Sequence, residues 1–160
     1  MNGLWYFDTG ALAKWYLNEN YSDEVEHFIQ QEGAVAVSSL TITEMRCLLA
    51  RRRRNNEISP TLEMKIFATM QEDLRQGYLV RHSVNDSHLE AATNLLITLI
   101  NVPLRTLDAL HLALIVDYQA NGVATSDLIM VQAAQALNIA TKLFAKKPSK
   151  QSNKVKRKPH

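Results

Sequence analysis

Short apolar runs alternate along the chain with longer segments patterned as helices, and this alternation restricts the fold more than any other feature. The runs are residues 4–7, 34–37, 78–81, 123–125 and 140–143. Between them, residues 11–17, 23–31, 41–54, 60–76, 86–100, 107–118 and 128–137 read as helices. Local signals agree: Ser22, Thr41 and Thr106 can cap helices, Pro60 suits a first turn, Gly33 and Gly77 stand after helix ends, Pro103 is a breaker, and Asn121-Gly122 is a turn signal. Strands separated by helices pair in parallel, because a crossover long enough to hold a helix brings the chain back in the same direction. The expected class is α/β: a three-layer α/β/α sandwich with a four- to five-stranded parallel sheet.

Composition sets the outer limits. With 160 residues, 46% of them hydrophobic and 21% charged, the chain suits one domain with a full core. No apolar run reaches the ~18 residues needed to span a bilayer. The apolar residues before Asp8 lack the basic flank of a secretory signal, and the single cysteine, Cys47, can form no internal disulfide. A cytoplasmic location with no membrane contact is expected. Seven of the 18 lysines and arginines fall in residues 146–160, a stretch with no acid, which leaves 11 against 16 acidic residues elsewhere. We expect residues 1–145 to form the domain and residues 146–160 a disordered basic tail.

In open α/β sheets, ligands bind at the carboxyl ends of the strands. Asp8 directly follows the first run, Glu44 lies early in the helix after the second, and Asp127 lies two residues past the fourth. Asp108 sits in the first turn of the helix leading into that fourth run. Asp8 and Asp127 could each serve as an N-cap, and Thr41-x-x-Glu44 fits a capping box. Asp108 stands in a helix, residues 107–116, that is apolar almost all round, and no base follows it one turn later. A carboxylate there needs compensation. Clustered carboxylates favour a hard divalent cation, Mg²⁺ or Mn²⁺, which can activate water against a phosphodiester.

Four motifs carry a family resemblance: Tyr6-Phe7-Asp8-Thr9-Gly10-Ala11, Thr43-Glu44-Met45, Leu104-Arg105-Thr106-Leu107-Asp108-Ala109-Leu110-His111-Leu112-Ala113, and Ala124-Thr125-Ser126-Asp127. Over residues 4–143 the sequence resembles PIN-domain nucleases, especially the VapC toxins of bacterial type II toxin–antitoxin pairs. The resemblance implies a PIN-like fold and a metal-dependent endoribonuclease. It puts Asp8, Glu44, Asp108 and Asp127 in the catalytic, metal-binding roles. Thr9 and Thr125 lie beside them, as supporting hydroxyls or as local caps. It further implies an RNA substrate, an antitoxin partner and a homodimer, with the helical arm of residues 40–76 helping to form the dimer and the antitoxin groove; by pattern alone the arm's apolar stripe, Met64, Phe67, Ala68 and Met70, reads as core. The alternatives are a PIN nuclease of RNA processing outside any toxin pair, or a non-catalytic PIN-like module that binds RNA or protein. A phosphotransfer receiver is less consistent, since Lys142 is the only candidate for the lysine it needs.

Arg51, Arg52, Arg53 and Arg54 either contact RNA phosphates or form a solvated face at a helix end. His111 shares a helix face with Asp108 and reads as a core histidine hydrogen-bonded near the pocket, ahead of a metal ligand or general base. Trp5, Tyr6 and Phe7 read as core and Cys47 as a small packed residue, while Trp15 and Tyr16 suit either the core or a partner.

Overall fold

The computed structural model describes residues 3–147, so most of the basic tail lies outside the described residues. In chain order the elements are β1 (Trp5–Phe7), α1 (Thr9–Tyr16), α2 (Ser22–Glu32), β2 (Val35–Ser38), α3 (Ser39–Arg54), α4 (Pro60–Gln76), β3 (Leu79–His82), α5 (Asp86–Thr98), α6 (Thr106–Asp117), β4 (Gly122–Thr125), α7 (Leu128–Ala136) and β5 (Thr141–Leu143). All strand pairs are parallel, in the order β3-β2-β1-β4-β5.

Alternation along the strands divides the core. Phe7, Val35 and Val37 face α1 to α4, among Leu12, Met45, Leu49 and Met70. Tyr6, Ala36 and Val123 face α5, α6 and α7, among Ala92, Leu112 and Met130. The sheet is thus covered on both faces, as an all-parallel sheet requires. The chain winds outward from β1 to β3, then returns to lay β4 on the other side of β1. The crevice between the carboxyl ends of β1 and β4 is the topological switch point, where such sheets bind ligands.

Several boundaries differ from the sequence reading for identifiable reasons. Ser38, not Thr41, caps α3: Ser38 Oγ accepts from Thr41 N at 3.2 Å and Thr41 Oγ1 accepts from Ser38 N at 3.1 Å. The capping box is therefore Ser38 with Thr41, which leaves Glu44 beyond it. Tyr21, with φ 71°, precedes α2, and Ser22 instead ties the preceding loop, accepting from Glu19 N at 3.0 Å and donating to Leu17 O at 2.8 Å. Arg105 takes the N-cap position of α6, with Thr106 its first residue. Gly77 ends α4 at φ 83°, a left-handed conformation that side chains resist. Gly122 opens β4 rather than forming a turn: a Cβ there would stand 2.5 Å from the Trp5 ring and 2.6 Å from Ala140 O.

The arm of α3 and α4 is pinned by charge. Glu63 is buried and accepts from Arg46 at 2.9 Å and from Arg53 at 2.5 Å. Arg52 pairs with Glu57 at 2.6 Å and Glu19 at 3.1 Å. Tyr16 donates to Asp73 at 2.6 Å, joining α1 to α4, and Trp15 packs against the same core cluster, so both residues belong to the core side. Cys47 is exposed, contrary to expectation, because it lies two positions from both Met45 and Leu49, on the opposite side of α3. In the arm's apolar stripe Met70 is fully buried and Met64 is 71% exposed, so only part of the stripe is core.

Candidate metal centre

Asp8 ends β1 and caps α1. One carboxylate oxygen accepts from Ala11 N at 2.9 Å, and the other accepts from Thr125 Oγ1. Thr125, the last residue of β4, in turn accepts from Asp127 N at 3.0 Å. The ends of the two strands flanking the switch point are therefore joined side chain to side chain. Asp8 is 7% exposed and takes part in no ion pair among the described residues. Burial pushes its carboxyl above the usual range; the bonds from Thr125 and Ala11 and the nearby His111 pull it down, and Asp127 pushes it up. Asp127 caps α7, its Oδ1 accepting from Ile129 N at 2.9 Å. Both aspartates are thus helix caps that stand at the carboxyl ends of β1 and β4.

Glu44 reaches the site from α3. Its Oε1 accepts from Thr9 Oγ1 at 3.1 Å and from His111 Nε2 at 2.5 Å. His111 is buried on α6, and its Nδ1 lies 2.7 Å from the Tyr6 hydroxyl. That hydroxyl donates to Ser38 Oγ at 2.9 Å and meets Thr41 Oγ1 at 3.3 Å. Burial drives the Tyr6 phenol well above its ordinary pKa, so the hydroxyl stays protonated. The buried polar chain Thr41–Tyr6–His111–Glu44–Thr9 bears out His111 as a hydrogen-bonded core histidine. The parts played by Tyr6, Ser38 and Thr41 were missed. The available signal was the tyrosine itself, since a buried phenol needs a partner.

Asp108 differs from its sequence reading. It stands at the mouth of the site, and burial of α6 begins one residue later, running from Ala109 to Ile115. Arg105, one turn earlier, brings its backbone N to 3.4 Å and its Nε to 3.5 Å from Asp108 Oδ2. Compensation thus comes from a preceding arginine, although its 83% exposure keeps the pair weak. Glu44, Asp108 and the first turn of α6 line an open cleft of about 370 Å³.

The structure therefore places Asp8, Thr125 and Asp127 around the switch point, and Glu44 and Asp108 along the cleft, with Thr9, next to Asp8, bonded to Glu44. Among the described residues, no three His, Cys, Asp or Glu side chains stand close enough to hold one ion between them as placed. The donor set is oxygen only, with one carboxylate buried and in no ion pair among the described residues, which fits a hard divalent cation. Of the four arginines at the end of α3, Arg52 and Arg53 are held in ion pairs, whereas Arg51 and Arg54 are exposed.

A doubly covered parallel sheet with acids beside its switch point places the chain among the open-sheet α/β domains, which bind ligands at the carboxyl ends of their strands. Within that class the chain belongs to the PIN-domain family, whose model matches residues 5–136. No curated protein matches it significantly in sequence. Its fold is similar to the crystal structure of VapC20 from Mycobacterium tuberculosis, described as a sarcin–ricin loop cleaving toxin. The TM-score is 0.64 and the identity 15%, over 80% of this chain and 93% of that one. Among the described residues, no helix is long and apolar enough to cross a membrane.

Proposed function

We propose that the chain is a divalent-metal-dependent endoribonuclease, the toxin of a toxin–antitoxin pair. The observation that carries this reading is Asp8: a buried carboxylate at the switch point, without an ion-pair partner among the described residues, held from two sides by Ala11 and Thr125. Burial raises its pKa, so the charged form is costly there until a cation stands beside it. Asp8 and Asp127, with Glu44 and Asp108 across the cleft, would hold Mg²⁺ or Mn²⁺ directly or through water. Such an ion, when bound, supplies an activated water and stabilises the leaving oxygen.

The chain's own residues do the positioning. Thr125 fixes the direction of the Asp8 carboxylate, and Thr9 fixes Glu44. Arg51 and Arg54, with Lys146 and Lys147 beyond β5, are cations suited to RNA phosphates, which the four acids alone would repel. The toxin reading draws on the likeness to VapC20. Exposed apolar residues, Met64 on α4, Ile97 on α5 and Val116 on α6, supply surface for a second copy and for an antitoxin.

RNA cleavage by the purified chain with Mg²⁺ or Mn²⁺ tests the proposal. Asp108→Asn should lower the rate by ~10²-fold, at least the loss caused by removing a residue that merely supports a ligand. Undiminished cleavage in Asp108→Asn and Asp8→Asn together would end it. A second reading, a non-catalytic module that binds RNA or protein, is favoured by one observation: the acids as placed hold no common ion site. Calorimetry with Mn²⁺ decides, since the module would bind none.

A further inference from the structure

We propose that His111 is a positioning residue for Glu44, clamping one oxygen of that carboxylate so that the other is presented to the metal. This rests on the reading of Glu44 as a ligand. His111 is buried in the middle of an apolar helix, where leucine would pack without any polar cost. Both its ring nitrogens are engaged, by Tyr6 and by Glu44.

The two partners depend on it unequally. The Tyr6 hydroxyl keeps Ser38 Oγ at 2.9 Å and Thr41 Oγ1 at 3.3 Å whether or not an imidazole is present. Among the described residues Glu44 has only Thr9, at 3.1 Å, besides His111 at 2.5 Å. An acceptor-only carboxylate takes its hydrogen from the ring, so Nε2 donates. Both donors converge on Oε1, and Oε2 has no hydrogen bond among the described residues. A glutamate on an open cleft wall would otherwise spread over many rotamers. Here the ring is braced from behind by Tyr6, which is fixed by the cap of α3, the helix that carries Glu44. The loop of contacts closes on itself: α3 holds Tyr6, Tyr6 holds His111, and His111 holds the α3 carboxylate.

Mn²⁺ calorimetry and RNA cleavage on the full chain test this, with melting temperature as the check on folding. His111→Phe keeps a ring but loses both bonds, and should weaken Mn²⁺ binding about 10- to 100-fold. His111→Gln, long enough to donate to Glu44, should recover most of the loss; His111→Asn, too short to reach it, should not. These two polar variants keep the comparison open if His111→Phe fails to fold. In a Glu44→Gln background, His111→Phe should change the affinity by no more than about twofold, because the group it acts through is gone. Equal affinities in His111→Gln and His111→Asn, or a full His111→Phe effect without Glu44, would overturn the inference. Failure of the wild-type chain to bind Mn²⁺ would instead overturn the metal reading beneath it.

Discussion

Replacing Asp8 by asparagine separates its work for the site from its work for the fold. Two bonds hold the carboxylate, from Ala11 N and from Thr125 Oγ1. Asparagine caps helices as well as aspartate, and the new amide can donate to Thr125, so the fold should lose little. Alanine loses the cap, at about 1 kcal/mol, and strands a buried threonine hydroxyl, at about 1–3 kcal/mol. At roughly 2–4 °C per kcal/mol for a chain of this size, Asp8→Ala should melt about 4–16 °C below Asp8→Asn. The charge acts in the opposite direction. Asp8 has a folded pKa raised by burial, so its contribution to stability is full below the unfolded value, near ~3.9, and is lost as pH rises through the folded value. Asp8→Asn escapes that loss. Without metal it should melt at or above wild type at neutral pH, and the gap should close as pH falls below about 4.

Mn²⁺ at ~100 times its dissociation constant should then stabilise the wild type by about 2.7 kcal/mol, or roughly 5–11 °C, and leave Asp8→Asn unmoved. Thermal melts across pH, with and without Mn²⁺, read all of this. Asp8→Asn melting alongside Asp8→Ala at neutral pH, or gaining as much from Mn²⁺ as wild type, would refute the reasoning.

Glu63→Ala should lower the midpoint of a urea titration by the equivalent of about 1–3 kcal/mol, because it strands two arginines on the α3–α4 arm whose own exposure softens the loss; Glu72→Ala, which breaks only a surface pair, should leave the midpoint unchanged. Removing residues 148–160 takes away Lys150, Lys154, Lys156, Arg157 and Lys158, and if all five neutralise phosphates, the slope of log RNA affinity against log salt should fall by about 3.5. An unchanged slope in filter binding would show that the basic tail takes no part.

The elements were legible because each apolar run and each helical stripe is a local pattern. The sheet order was not, since nothing local says that β4 lies beside β1 rather than β3. Three of the four acids, Asp8, Glu44 and Asp127, follow strands in sequence, so parallel winding alone brought them to one edge. Where local grammar offered two answers, it misled. Thr41-x-x-Glu44 looks like a capping box, but the real box begins three residues earlier at Ser38, and that shift leaves Glu44 free for Thr9 and His111. Asp108 seemed stranded because the search for a compensating base looked one turn ahead, and Arg105 lies one turn behind. The Tyr6–His111 contact spans 105 residues and left no trace in either segment beyond the polarity of two side chains in apolar company.

The junction of Asp8 with Thr125 has a consequence in time. These residues are 117 positions apart, and among the described residues β4 is the fourth of five strands to be made. At roughly 5–20 residues per second, about 6–23 s of synthesis separate the buried aspartate from the hydroxyl that orients it. A nascent chain that has reached only β3 owns Asp8, Thr9 and Glu44, but lacks His111, Thr125 and Asp127. A nascent chain that stops there therefore carries no assembled centre, and whatever chemistry the crevice performs waits until residue 127 has left the ribosome.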